Sequence, residues 1–102
     1  MVEDIQLHVS EKQSLATYAK QYGYNASYLS WLFKKEMNQS FIEYVISVRI
    51  TKAKELILTT DKTISEIATL VGYDEYFHFS KIFKENVGLS PTEYRKLHKK
   101  KD

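Results

Sequence analysis

There is no cysteine among the 102 residues, and that absence removes disulfides, thiol nucleophiles and thiolate metal sites together. It fits a reducing cytoplasm, where this chain is expected to act. Proline occurs once, at Pro91, and glycine three times, at Gly23, Gly72 and Gly88, so few points can interrupt a regular element. No apolar run approaches the roughly 18 residues that span a bilayer, and no signal-peptide pattern stands at the start, so no membrane role is expected. Sustained period-two alternation is missing too, which disfavours strands. His8, His78 and His98 are scattered, without the paired spacing zinc requires, and no glycine-rich phosphate loop is present. The expectation is a protein that is not an enzyme and needs no metal or other cofactor.

Charge is weak in total and uneven along the chain. A net charge of +2 is too small to diagnose a nucleic-acid partner alone. Before Lys34 the only cations are Lys12 and Lys20, whereas the chain runs out through Arg95-Lys96-Leu97-His98-Lys99-Lys100-Lys101. That tail reads either as a solvated helix end or as a phosphate-contacting segment.

What is present is helical periodicity, divided by caps. Ser40-Phe41-Ile42-Glu43 and Thr63-Ile64-Ser65-Glu66 have the form of capping boxes, and Ser90-Pro91-Thr92-Glu93 adds proline at a first helical position. The pattern predicts helices over 2–9, 14–22, 26–37, 41–59, 64–71, 75–86 and 91–99.

The chain also repeats itself. Ser14-Leu15-Ala16-Thr17-Tyr18-Ala19 with Gly23-Tyr24-Asn25 resembles Thr63-Ile64-Ser65-Glu66-Ile67-Ala68 with Gly72-Tyr73-Asp74. Leu29 to Lys34 then aligns with Phe79 to Lys84, and Ser40 to Tyr44 with Ser90 to Tyr94. The offset is 49 residues at first and 50 later, so the second copy holds one extra residue between its helices.

Each copy reads as a short helix, a turn whose glycine permits a positive backbone angle, and a second helix with two opposed faces. That is a helix-turn-helix unit. Leu29, Leu32 and Phe33 in the first copy, and Phe79, Ile82 and Phe83 in the second, fall inward at i, i+3, i+4 spacing. Ala19 and Ala68 allow close approach of the paired helices. Outward lie Ser27, Ser30, Trp31 and Lys34, and then Phe77, Ser80, Lys81 and Lys84. Serine reaches bases or phosphates, lysine reaches guanine edges or phosphates, and an aromatic ring can touch a thymine methyl. Ordinary solvated faces are the plain alternative for the serines and Lys34. For Trp31 and Phe77 the alternative is packing against a neighbouring helix.

The predicted fold is all-α: two helix-turn-helix subdomains joined by a long linker helix, about seven helices in all. Residues 1–40 form the first unit, 41–59 the linker and 60–102 the second unit. The stripe Ile42, Val45, Ile46, Ile50, Ala53, Leu56 and Ile57 would serve both cores. Roughly 19 residues at about 1.5 Å each give a rod near 29 Å, against about 34–36 Å for one turn of B-DNA. On that length the two reading helices are expected to meet successive major-groove segments.

Four stretches carry a family resemblance. They are Tyr28 to Glu36, then Arg49-Ile50 with Ala53 and Leu56, and Ile64 to Tyr73 followed by Phe79 to Arg95. In order and spacing they resemble the AraC/XylS regulators of bacteria. The resemblance implies a transcription regulator that binds double-stranded promoter DNA and works with RNA polymerase. It also implies an upstream sensing or receiver domain in the full-length protein. His78 stands where tyrosine is common in the family, and Trp31 where arginine is common. Tryptophan has one donor and cannot grip guanine with two bonds, whereas Lys81 keeps a cation at the equivalent place. The DNA-contact set expected is therefore Ser27, Ser30, Trp31, Lys34, Phe77, His78, Ser80, Lys81 and Lys84. A helical protein-interaction module without DNA binding is the alternative that the weak charge and exposed aromatics favour.

Overall fold

The computed structural model describes residues 1–9, 11 and 14–99. It contains α1 (Val2–Leu7), α2 (Leu15–Tyr22), α3 (Ala26–Met37), α4 (Phe41–Thr59), α5 (Ile64–Leu70), α6 (Tyr76–Val87) and α7 (Pro91–His98), with no strand among the described residues. The all-α reading and the count of seven helices hold. The predicted bounds are off by one or two residues at several ends, most at α1, which stops at Leu7 rather than residue 9.

The chain forms two compact units, Met1–Val48 and the part from Arg49 onward. In the first, Ile5, Tyr18, Ala19, Leu29, Phe33, Phe41, Tyr44 and Val45 make one buried cluster. Phe33 sits edge-on to Phe41 at 5.7 Å and to Tyr44 at 5.5 Å, and Phe41 meets Tyr18 at 5.9 Å. Gln6 Nε2 donates to the Tyr44 hydroxyl at 3.2 Å, which ties α1 to α4. In the second unit Ile50, Ala53, Ile57, Ile67, Ala68, Val71, Phe79 and Phe83 are buried. Phe79 and Phe83 are fully enclosed, each contributing about 1.5–3 kcal/mol of apolar burial. Phe83 also meets Tyr94 edge-on at 5.6 Å.

The repeat is visible in the backbone. Gly23 (φ 76°) follows α2 in the left-handed region, and the Tyr24 amide donates back to the Ala19 carbonyl at 2.8 Å. The Tyr73 amide does the same to Ala68 at 2.9 Å. Where α6 ends on Gly88 (φ 91°), α3 ends on Asn38 (φ 58°), a residue type that tolerates this angle. All three capping boxes form. The amides of Glu43, Glu66 and Glu93 each donate to a hydroxyl at 3.1 Å, while the amides of Ser40, Thr63 and Ser90 donate to the carboxylates at 2.9 to 3.1 Å.

Two expectations are corrected. Ile42 does not join the core stripe of α4 and is 70 % exposed; Phe41 and Tyr44 are buried there beside the expected Val45. Ile46 and Leu56 are only half-buried, as are Leu32 on α3 and Ile82 on α6. The basic tail is neither a simply solvated end nor a free phosphate hook as far as Arg95 and Lys99 are concerned. Arg95 Nε donates to the Ile57 carbonyl at 3.1 Å and its Nη2 to the Thr60 carbonyl at 3.2 Å. Lys99 Nζ donates to the same Thr60 carbonyl at 2.7 Å and pairs with Asp61 Oδ1 at 2.6 Å. These cations close the C-terminal end of α4, where helix carbonyls lack intrahelical donors. Lys100 and Lys101 lie outside the described residues.

Candidate nucleic-acid interface

In each unit a 12-residue helix buries one side and leaves the other open. On α3, Leu29 and Phe33 face the core while Ser27, Ser30, Trp31 and Lys34 are exposed. These four, with Lys35, line one shallow depression. Asn25 caps α3, its Oδ1 accepting from the Ser27 amide at 2.9 Å and the Tyr28 amide at 3.3 Å. That cap was legible as an asparagine just before a periodic segment, although the sequence reading did not use it.

On α6, Phe79 and Phe83 are buried, while Phe77, His78, Lys81 and Lys84 are exposed. Ser80, expected outward, is half-buried. Phe77 is 76 % exposed and touches Tyr76 edge-on at 5.5 Å, a residue beside it on the same helix. His78 sits edge-on to Tyr73 at 5.5 Å, with Arg49 over the Tyr73 ring at 5.1 Å. His78 is thus half of a stacking contact within its own unit, in addition to lying on the exposed side.

Trp31 is 56 % exposed, and its ring contacts come from its own helix. Tyr28 lies 6.0 Å away, and Lys35 Nζ stands 4.9 Å over the indole. Tyr24 continues the row, 5.8 Å from Tyr28. Tyr28, Trp31 and Lys35 share one side of α3, and Tyr24 joins them from just before the Asn25 cap; the sequence singles out Trp31 alone among them.

Two acidic groups near these faces, Glu43 and Glu93, are engaged in capping. Backbone and side-chain hydrogen bonds to Ser40 hold the Glu43 carboxyl below its usual range, with a smaller contribution from the Lys34 charge. Ser90 does the same for Glu93, assisted by Lys84. Among the described residues no group of three or more histidine, aspartate or glutamate side chains is arranged to hold a metal ion. Among the described residues no helix is long and apolar enough to cross a membrane. A second concavity, lined by Asp4, His8, Glu11, Ser14, Thr17, Tyr18 and Gln21, is polar and lies away from the open face of α3.

Comparison with known proteins points the same way. A family model described as a helix-turn-helix domain matches residues 18–97. An uncharacterized HTH-type transcriptional regulator of Escherichia coli, YdiP, is 36 % identical over 97 % of this chain and 34 % of its own length. The C-terminal domain of AraT, a response regulator from Geobacillus stearothermophilus, is similar in structure with a TM-score of 0.94. It is 37 % identical, covering 99 % of this chain and 84 % of that one. The C-terminal domain of the two-component response regulator yesN from Fusobacterium nucleatum aligns with a TM-score of 0.86 and 30 % identity, over 92 % and 93 % of the two chains. The chain spans about a third of the length of the first curated relatives it matches.

Proposed function

We infer what this chain does from the family it belongs to, the AraC-type helix-turn-helix transcription regulators. It is the DNA-binding part of a regulator, and its ligand is double-stranded promoter DNA. The observation that carries this reading is the doubled helix with one buried and one open face, in which lysine and aromatic side chains stand outward on α3 and again on α6, joined on α3 by Ser27 and Ser30. Each helix enters a major-groove segment. Ser27, Ser30 and Lys34 engage the DNA on the first, with Trp31 as an apolar contact. Lys81 reads a base edge on the second, Lys84 grips phosphate, and Phe77, His78 and Ser80 complete that contact.

The full-length regulator joins this part to a sensing or receiver domain and acts through RNA polymerase in the cytoplasm. The names of the response-regulator relatives and the one-third coverage support the joined sensing or receiver domain. The chain itself catalyses no reaction and requires no cofactor.

Titration against duplex DNA from roughly 50 to 200 mM salt tests the function. Affinity should fall at least about tenfold, because each neutralised phosphate releases counterions. A flat response would support the protein-interaction reading instead.

A further inference from the structure

We infer that the first unit reads thymine methyl groups through the exposed aromatic row of Tyr24, Tyr28 and Trp31, so that its half of the DNA site is a thymine-bearing segment. This rests on the DNA-binding reading above and adds a ligand feature to it.

The row is built to stand open. Its ring centroids are 5.8 and 6.0 Å apart, and its members are 49 %, 48 % and 56 % exposed. In the repeat, Tyr24 corresponds to Tyr73, which is buried at 5 % exposure. The first unit therefore turns outward a ring that the second turns inward. Trp31 likewise corresponds to Lys81, so the middle of the α3 face is apolar where that of α6 is cationic. Lys35 over the indole steadies the ring and holds a positive charge above its face.

The face also lacks a planar fork. No arginine or glutamine lies on α3, and the Asn25 oxygen is engaged by the Ser27 and Tyr28 amides. The planar two-bond grip of arginine on guanine, or of asparagine or glutamine on adenine, has no donor set here, and Lys34 and Lys35 are left as point charges for guanine edges or phosphates. The one apolar feature that a base pair presents in the major groove is the C5 methyl of thymine. Burying it against aromatic carbon is favourable by the ordinary transfer of a methyl out of water. Stacking of bases on the rings would need unpaired strands, since bases in a duplex are already stacked.

The test uses the chain itself and the tightest duplex selected from a random pool. Replacing its thymines by deoxyuridine removes only the methyls. Affinity should fall by at least about fourfold, the transfer value of one buried methyl. Tyr28→Ser with Trp31→Ser should remove that discrimination, and Lys20→Ala, on α2 and outside the DNA-contact set, should keep it. The exposure of both aromatics predicts unchanged thermal melts for the double variant, so a loss of folding is separable from a loss of reading. Equal affinity for thymine and deoxyuridine DNA overturns the inference and leaves the DNA-binding function standing, as does discrimination that survives in the double variant. Single strands that compete as well as the duplex overturn it in favour of base stacking. If no duplex is bound at any salt concentration, both readings fail.

Discussion

At the residue scale the chemistry of α6 separates two lysines that look alike in sequence. Lys81 lies mid-helix on the exposed side and Lys84 one turn further on. Lys81→Ala should cost about 1–3 kcal/mol on the best duplex and relax sequence preference, while Lys84→Ala should weaken all sequences about equally. Competition with random DNA is the measurement, and equal loss on specific and random sites for Lys81→Ala would refute the assignment. Phe83→Ala should instead lower stability by about 3–5 kcal/mol, because the ring is fully enclosed; a urea melt checks it. The enclosed rings were readable from their i, i+3, i+4 spacing. Ile42 was not, because Phe41 beside it is the larger side chain and packs on Phe33 and Tyr18. Neighbouring helix positions point about 100° apart, so choosing one residue over the next decides core or solvent. Tyr24 and Tyr28 escaped notice because tyrosine reads equally well as core or surface until its neighbours are placed.

At the element scale the helix ends carry the testable consequences. Glu43, Glu66 and Glu93 all have carboxyls held below their ordinary range, chiefly by backbone hydrogen bonds at the caps. Asp61 is lowered by its hydrogen bond to Lys99. Each contributes stability that is present above the unfolded value, about 4, and lost as pH falls through the lower folded value. The melting temperature should therefore be level from neutral pH to about 5 and drop below about 4. A chain with all three capping glutamates replaced by glutamine should show a shallower acid limb. The boxes were legible because four consecutive residues specify them.

The clamp of Arg95 on the Ile57 and Thr60 carbonyls was not legible, since it joins residues 35 and 38 positions apart. Arg95→Met should lower the melting temperature while leaving the slope of affinity against salt unchanged. A slope reduced by about one would mean that Arg95 is a phosphate contact after all.

At the scale of the whole chain, the internal repeat was the most informative signal, because it gave the number of units and the pairing of their helices before any contact was known. What it could not give is how far the copies diverge. They differ in which tyrosine is buried, in whether an asparagine or a glycine ends the second helix, and in how well the helices are capped. In the first unit, α1 has no side-chain cap and Ser14 makes no capping bond to α2. In the second, α5 and α7 both begin in complete boxes and α6 has no side-chain cap, whereas in the first Asn25 caps α3 and the Ser40–Glu43 box opens α4.

The sole tryptophan, Trp31, belongs to the first unit, whose opening helices α1 and α2 both start without a side-chain cap. Its emission is thus a local fluorophore signal, whereas far-ultraviolet ellipticity counts every helix. On heating, the fluorescence midpoint should come several degrees below the ellipticity midpoint, with a residual circular-dichroism signal from α5 to α7 in between. Superimposed curves would instead report a single cooperative transition.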